Sequence, residues 1–129
     1  MNQQAQATYL RMQVNTAAPW ELTTMLFSGC IKFMKQGLMA IENEDFNLKN
    51  INIKKAVDIL DELTITLNHN YEIADQLRKI YDYVKRRLFH VNFKLDVSAL
   101  QECIALISEL RDTWVTAMKE LHAVAKVQS

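Results

Sequence analysis

The sequence contains few residues that interrupt a helix. Two glycines and one proline occur in 129 residues, whereas an all-β fold needs frequent turn residues between its short strands. Half of the residues are hydrophobic, which is enough to bury a core without metals or disulfides. We therefore expect one all-α domain over residues 1–129.

The sequence also has only two cysteines and no formal net charge. Cys30 and Cys103 show neither C-x-x-C spacing nor a secretory context, so we expect buried structural thiols. The formal net charge is +0, which gives no overall electrostatic case for nucleic acid or an anionic membrane. The N-terminus lacks a signal-peptide pattern, and the apolar run 22–31 is too short to span a bilayer. We expect a cytoplasmic protein without membrane insertion.

Motifs for catalysis and for metal or cofactor binding are missing too. A di-iron site in a helical bundle needs Glu-x-x-His on two helices, but the residues three positions before the histidines are Thr66, Arg87 and Lys119. No glycine-rich phosphate loop, G-x-S-x-G or H-E-x-x-H occurs, and each of these motifs serves a defined chemistry. We expect no enzyme activity, no metal and no cofactor.

Four amphipathic patterns follow one another along the chain, with apolar residues every three to four positions. The first begins at Pro19, whose missing N–H suits a helix start, and the fourth has Asp96 or Ser98 as its cap. The patterns cover residues 19–42, 51–68 and 71–92, and then run from near residue 97 almost to the end. Short links predict an antiparallel four-helix bundle over residues 19–128. Residues 1–18 are expected to be a flexible arm or a short helix that caps the bundle.

The apolar stripes also predict which residues form the core. In the first helix the predicted stripe is Leu22, Met25, Leu26, Gly29, Phe33 and Gly37. In the second helix the stripe is Ile53, Ala56, Val57, Leu60, Leu63, Thr64 and Leu67. In the third and fourth helices the stripes include Ile73, Tyr81, Val84, Leu88, Cys103, Ile107, Trp114, Ala117 and Leu121.

More apolar residues are present than the stripes require. The additional ones lie off the stripes or at their margins: Ile59, Ile65, Phe89, Phe93, Leu106 and Val115. Exposed apolar grooves mark partner sites, and a helix laid into such a groove is one interpretation. The alternative is that the wide faces pack within a bundle with irregular crossings.

The third pattern is locally basic. Residues 71–94 contain six basic and three acidic side chains, a local charge of +3, with Tyr81 and Tyr83 interleaved. A nucleic-acid interface would combine such charges with stacking aromatics. The alternative, favoured by the neutral whole chain, is a solvated helix face with charges paired within one turn. We therefore expect no nucleic-acid partner.

Three ordered motifs resemble one known family. They are V-N-T-A-A-P-W-E-L-T-T-M-L-F-S-G at residues 14–29, I-Y-D-Y-V-K-R-R-L-F-H-V-N-F-K-L-D at residues 80–96, and L-R-D-T-W at residues 110–114. The chain is similar over nearly its whole length to flagellin-specific export chaperones of the FliS family. It departs from the family pattern at Ala18, where a serine is common, at Ser28, and at His90-Val91.

The resemblance implies a cytoplasmic export chaperone. Such a protein binds the disordered C-terminal segment of flagellin, prevents premature polymerisation and delivers flagellin to the flagellar type III secretion apparatus, without ATP or a cofactor. An export-gate component, a co-chaperone and a second copy of the chain stay open as further partners. The alternative function is a homo-oligomeric structural bundle without a flagellin ligand.

The partner-binding residues are predicted from the motifs and from the margins of the stripes. They are Tyr9, Val14, Leu22, Met25, Ile59, Ile65, Tyr81, Tyr83, Arg87 and Asn92. Three of them, Leu22, Met25 and Tyr81, also lie on core stripes, so a purely structural role is the alternative. We further hypothesise that residues 1–18, with apolar residues such as Leu10 and Met12, fold over an apolar groove as a lid when flagellin is absent.

Overall fold

The computed structural model describes residues 19–128, with the side chains of residues 20–123. Four α-helices account for most of this part of the chain: α1 (Pro19–Glu42), α2 (Phe46–Ile65), α3 (Ile73–Lys94) and α4 (Val97–Gln128). The predicted all-α class is confirmed. The expected arm or cap, residues 1–18, lies outside the described residues.

The helices form a closed antiparallel bundle. Each helix packs against its neighbours in sequence, and α4 packs against α1. Helices α2 and α3 are antiparallel. Lys85 of α3 contacts Asp61 of α2, whereas Asn92, further along α3, contacts Lys49, which comes earlier in α2. The links 43–45 and 95–96 therefore lie at one end, which we call the turn end. Residue 19 and the link 66–72 lie at the opposite end, which we call the arm end.

The first two helices meet at a tight turn. Helix α1 begins at Pro19 as predicted, and the chain reverses through Glu44, whose φ of 58° is in the left-handed region. Asp45 then accepts a hydrogen bond from the Leu48 amide at 3.1 Å and so caps α2. Because of this cap, α2 begins at Phe46, ahead of the predicted start at residue 51.

The third and fourth helices are joined by two residues. Leu95 has a φ of 53° and ends α3, and its amide bonds to the Val91 carbonyl at 2.8 Å. Asp96 accepts a hydrogen bond from the Ala99 amide at 3.0 Å, so Asp96, one of the two predicted caps, begins α4. This bond is the main reason why the pKa of Asp96 is lowered.

The core face of α1 overlaps the predicted stripe only in part. Its buried residues are Phe27, Cys30, Ile31, Met34, Gly37 and Ala40. Of the predicted set, Gly37 is buried, and Leu26 and Phe33 are partly buried against the core. The buried face is turned from the predicted one because α1 is packed between α2 and α4 and its buried face points between them. The predicted stripes of α2, α3 and α4 supply most of the remaining core, including Leu60, Leu63, Leu88 and Ile107.

Three predicted core residues are exposed. Ile73, Ala117 and Leu121 lie on core stripes, but all three are at the arm end, where helices begin or end. A stripe position beyond the end of the neighbouring helix has nothing to pack against. Periodicity along one helix cannot report where its neighbours stop.

Both thiols are buried, as predicted. Cys30 and Cys103 are free and 0% exposed. Burial raises the pKa of each thiol to about 12, so both stay protonated near neutral pH. Thiolate is the reactive form of cysteine, and the two residues therefore act as small apolar core side chains.

Candidate partner-binding surface

The three sequence motifs meet at one core residue. The Phe27 ring lies 6.3 Å from the Tyr81 ring and 6.5 Å from the Trp114 ring, measured between centroids. Trp114 also donates a hydrogen bond from Nε1 to the Trp20 carbonyl at 3.1 Å. The most specific part of the sequence thus holds α1, α3 and α4 together.

The predicted partner-binding residues are spread over several surfaces. Tyr9 and Val14 lie outside the described residues. Leu22, Met25 and Ile59 are half-buried, while Ile65 is 75% exposed at the arm end. Tyr81 is only 1% exposed, so it presents no surface to a partner in this conformation.

Two predicted residues join a polar cluster between α3 and α4. Tyr83 donates a hydrogen bond from its hydroxyl to Glu102, which is the main reason why the pKa of Tyr83 is raised. Arg87 lies 3.6 Å from the same carboxylate, and its Nε is buried without a hydrogen-bond partner. One turn further along, His90 lies 3.3 Å from Asp96. These contacts align α3 with α4 and leave Tyr83 partly exposed.

Asn92 contacts Lys49, a buried residue that the sequence pattern did not indicate. Its side chain is exposed, and its backbone carbonyl accepts a hydrogen bond from Lys49 Nζ at 3.2 Å. Lys49 is only 4% exposed, and burial lowers the pKa of its amine. The amine binds an end carbonyl of α3, where helix carbonyls lack intrahelical partners. The signal in the sequence was the capping residue Asp45, which places Lys49 inside α2.

Large apolar side chains are exposed mainly at the turn end. Those at or near the turn end are Met39, Phe46, Leu48, Ile51, Phe89, Phe93 and Leu95, and those at the arm end are Ile65, Tyr71, Ile73 and Leu121. Phe89 and Phe93 are 73% and 76% exposed and stand one turn apart on α3. They had been predicted as apolar excess but not as binding residues.

Charges near the two phenylalanines are largely positive. From residue 83 to residue 94, α3 contains Lys85, Arg86, Arg87 and Lys94 and no acidic residue. Lys94 lies over the Phe93 ring at 5.8 Å from its centroid, a cation–π contact. We use the name α2–α3 surface for Phe46, Arg86, Phe89, Phe93 and Lys94.

The described part of the chain contains neither a metal-binding cluster nor a membrane span. Residues 19–128 contain no group of three His, Cys, Asp or Glu side chains arranged to hold a metal. Within the same range, every helix is too short or too polar to span a bilayer. An open concavity of about 450 Å³ on α4 is lined by Asp112, Thr113, Thr116, Ala117 and Glu120.

The described residues form a four-helix bundle with large apolar side chains on its surface. Residues 1–121 match the family described as "Flagellar protein FliS". The flagellar secretion chaperone FliS of Bacillus subtilis is 43% identical over 111 residues, which cover 86% of this chain and 84% of that protein. The flagellar secretion chaperone FliSB of Pseudomonas aeruginosa is 33% identical over 113 residues, 86% of this chain and 90% of its own.

A further relative agrees with this assignment. The flagellar secretion chaperone FliS of Escherichia coli is 30% identical over 104 residues, 78% of this chain and 76% of that protein. The chain belongs to the FliS family, which is a family of chaperones and not of enzymes. The resemblance predicted from the three motifs is confirmed.

Proposed function

We propose that this protein is a cytoplasmic export chaperone for flagellin. It binds the disordered C-terminal segment of flagellin, prevents premature polymerisation and delivers flagellin to the flagellar type III secretion apparatus. The observation that carries the proposal is membership of the FliS family, with relatives named flagellar secretion chaperones. An export-gate component and a co-chaperone are further partners that this role allows.

The physical properties of the bundle support this role. Exposed large apolar side chains such as Ile65, Phe89 and Phe93 offer surface that an incoming amphipathic helix can bury. A disordered segment that folds on binding loses part of its interaction energy to ordering. Binding of this kind is specific and also releasable, as export requires.

Partner contacts are proposed on two sides of the bundle. On α1 and α2 they involve Leu22, Met25, Ile59 and Ile65, and on α3 they involve Tyr83, Arg87 and Asn92. The α1 and α2 residues are half-buried or exposed, so a helix lying on them covers apolar surface. Tyr81 acts from inside the core, through its ring contact with Phe27.

The N-terminal arm is proposed to act as a lid. Residues 1–18, with Tyr9 and Val14, cover an apolar groove when flagellin is absent and leave it when flagellin binds. The support is the position of Pro19, where α1 begins at the arm end. Beside it the Trp20 ring contacts the His122 ring at 5.2 Å, and Leu121 has its apolar side chain exposed.

Calorimetric titration with the C-terminal peptide of flagellin from the same organism tests the function. We expect one-to-one binding and a gain in helix by circular dichroism, because the segment folds as it binds. Absence of both heat and helix gain contradicts the proposal. A mass that rises with protein concentration, and is unaffected by the peptide, would then favour the homo-oligomeric bundle.

A further inference from the structure

Phe89 and Phe93 extend from the α2 side of α3 towards solvent. Lys85 contacts Asp61 of α2 at 2.9 Å, and Phe89 and Phe93 follow Lys85 one and two turns later, each turned about 40° further round the helix. Lys49 of α2 reaches the Asn92 carbonyl, which keeps the two helices together at this level. Phe89 therefore stands nearer the boundary between α2 and α3, and Phe93 nearer the solvent face of α3.

Phe46 brings a third aromatic side chain to the same end of this boundary. It is 45% exposed and lies one turn before Lys49, level with the last turn of α3. Each of the three rings thus offers apolar area that is still in water. Burial of such area is the main favourable term in helix-in-groove binding.

Several acidic groups on the helices around this region are already paired, whereas Glu44 and Asp45, in the link before Phe46, have no basic side chain within ion-pair distance among the described residues. Each paired group lies within ion-pair distance of a basic side chain: Asp58 with Lys54, Asp61 with Lys85, Asp82 with Arg78 and Lys85, Glu102 with Arg87, and Asp96 with His90. Among the described residues, neither Arg86 nor Lys94 has an acidic group within ion-pair distance, and Lys94 lies over the Phe93 ring. Positive charge beside the exposed rings is left without a counter-charge.

The first half of α2 contains no acidic residue. Between Phe46 and Lys55 it contains three lysines and no acidic residue. Lys54 is balanced by Asp58, Lys49 is buried on the Asn92 carbonyl, and Lys55 lies over the Phe33 ring at 5.3 Å from its centroid. These halves of the two helices contain no acidic side chain that would repel an anionic partner, and the carboxylate of Asp45, directly before Phe46, accepts the Leu48 amide.

We infer that the α2–α3 surface binds an amphipathic helix of the client whose apolar side chains, at i and i+4, are flanked by Asp or Glu. The apolar side chains cover Phe89 and Phe93, and the carboxylates meet Arg86 and Lys94. A helix fits because two antiparallel helices form a groove that takes the ridge of a third. This inference rests on the proposed function and names the chemistry of the client segment at one surface.

The test uses the full-length protein and the C-terminal flagellin peptide, with affinity measured at low and at high salt. The double variant Phe89→Ser/Phe93→Ser is expected to weaken binding at least about tenfold, because the anchors of an interface dominate its affinity. The double variant Arg86→Glu/Lys94→Glu is expected to weaken binding mainly at low salt. Neutralising Asp and Glu in the peptide to Asn and Gln should abolish that salt dependence.

Matched controls come from the outer face of α1. Met39 is 59% exposed and Lys35 is exposed, and both lie away from the α2–α3 surface. The double variant Met39→Ser/Lys35→Glu makes the same kinds of change and is expected to leave affinity unchanged. Circular dichroism verifies that all variants keep their helix content.

The outcomes separate this inference from the proposed function. If the peptide fails to bind the unmodified protein, the proposed function is wrong. If the peptide binds and both α3 variants bind equally well, the function stands and the inference is overturned. The inference is also overturned if the phenylalanine variant instead abolishes self-association in sedimentation or binding to vesicles of anionic phospholipid.

Discussion

Two glycines set how closely α1 approaches α2. A Cβ at Gly37 would lie 3.1 Å from Cδ1 of Ile53, and a Cβ at Gly29 would lie 3.2 Å from Cδ1 of Ile59. Both residues were predicted as core positions from their spacing alone. Their actual role is to leave room for isoleucine side chains, which a hydrophobicity pattern does not express.

The two glycines should respond differently to alanine. Alanine is favoured over glycine in a helix interior by about 1 kcal/mol. Ile59 is half-buried and can shift, so Gly29→Ala is expected to raise the free energy of unfolding by up to about 1 kcal/mol. Ile53 is 1% exposed and cannot yield, so Gly37→Ala is expected to lower it by about 1 to 2 kcal/mol.

Urea denaturation of both variants measures this difference. The glycines lie two turns apart on one helix, so each variant serves as the control for the other. If both substitutions change the free energy of unfolding equally, helix propensity alone explains the result and the packing explanation is wrong. The contrast depends on the packing of Ile53 and Ile59, not on α1 itself.

At the scale of elements, the turn end depends on a short polar sequence. Asp45 caps α2 through the Leu48 amide, and Lys49, one turn into α2, bonds to the end of α3. The start of α2 therefore holds the end of α3 in place. The first helix was predicted correctly from Pro19, whereas the second was predicted to start too late because its first turn lacks a clear apolar stripe.

Removal of this cap should weaken the turn end. The variant Asp45→Ala is expected to lower the free energy of unfolding by about 1 kcal/mol, the usual contribution of a capping side chain. Hydrogen exchange of the Leu48 amide should quicken more than exchange in the middle of α2. Asp45→Asn is the control, since asparagine caps equally well. Unchanged stability in the alanine variant would show that the cap is dispensable.

At the scale of the whole molecule, the family motifs are partly structural. Phe27, Tyr81 and Trp114 bring all three motifs into contact in the core. Phe89 and Phe93, inside the second motif, face solvent. The second motif therefore contains both a core residue that stabilises the bundle and apolar residues that are exposed on its surface.

The lid hypothesis concerns residues 1–18, which are proposed to cover an apolar groove when flagellin is absent. Deletion of residues 2–13 is expected to raise affinity for the flagellin peptide, or to increase the fluorescence of a dye that binds apolar surface, because the groove is then uncovered. Helix content should not fall. A variant in which a Gly/Ser segment of equal length replaces residues 2–13 should behave like the deletion.

The replacement variant separates the apolar side chains of the arm from its length alone. If peptide binding and dye fluorescence both stay the same in the deletion and in the replacement, the lid hypothesis is wrong. The flagellin-binding proposal is unaffected by that outcome, since it is tested on the unmodified protein.

The sequence by itself determined the helical class, the number of helices, the start of α1, the burial of both cysteines and the family. The helical class, the number of helices and the start of α1 follow from residue spacing and from the positions of helix breakers, which act locally. The burial of the cysteines follows from the general tendency of cysteine to be buried, and the family from the resemblance of three ordered motifs. Only the tertiary structure decided which face of α1 is buried, that Lys49 is enclosed, and that Ile73 and Leu121 stay exposed. Those outcomes depend on where neighbouring helices lie and where they end, which no single helix encodes in its own periodicity.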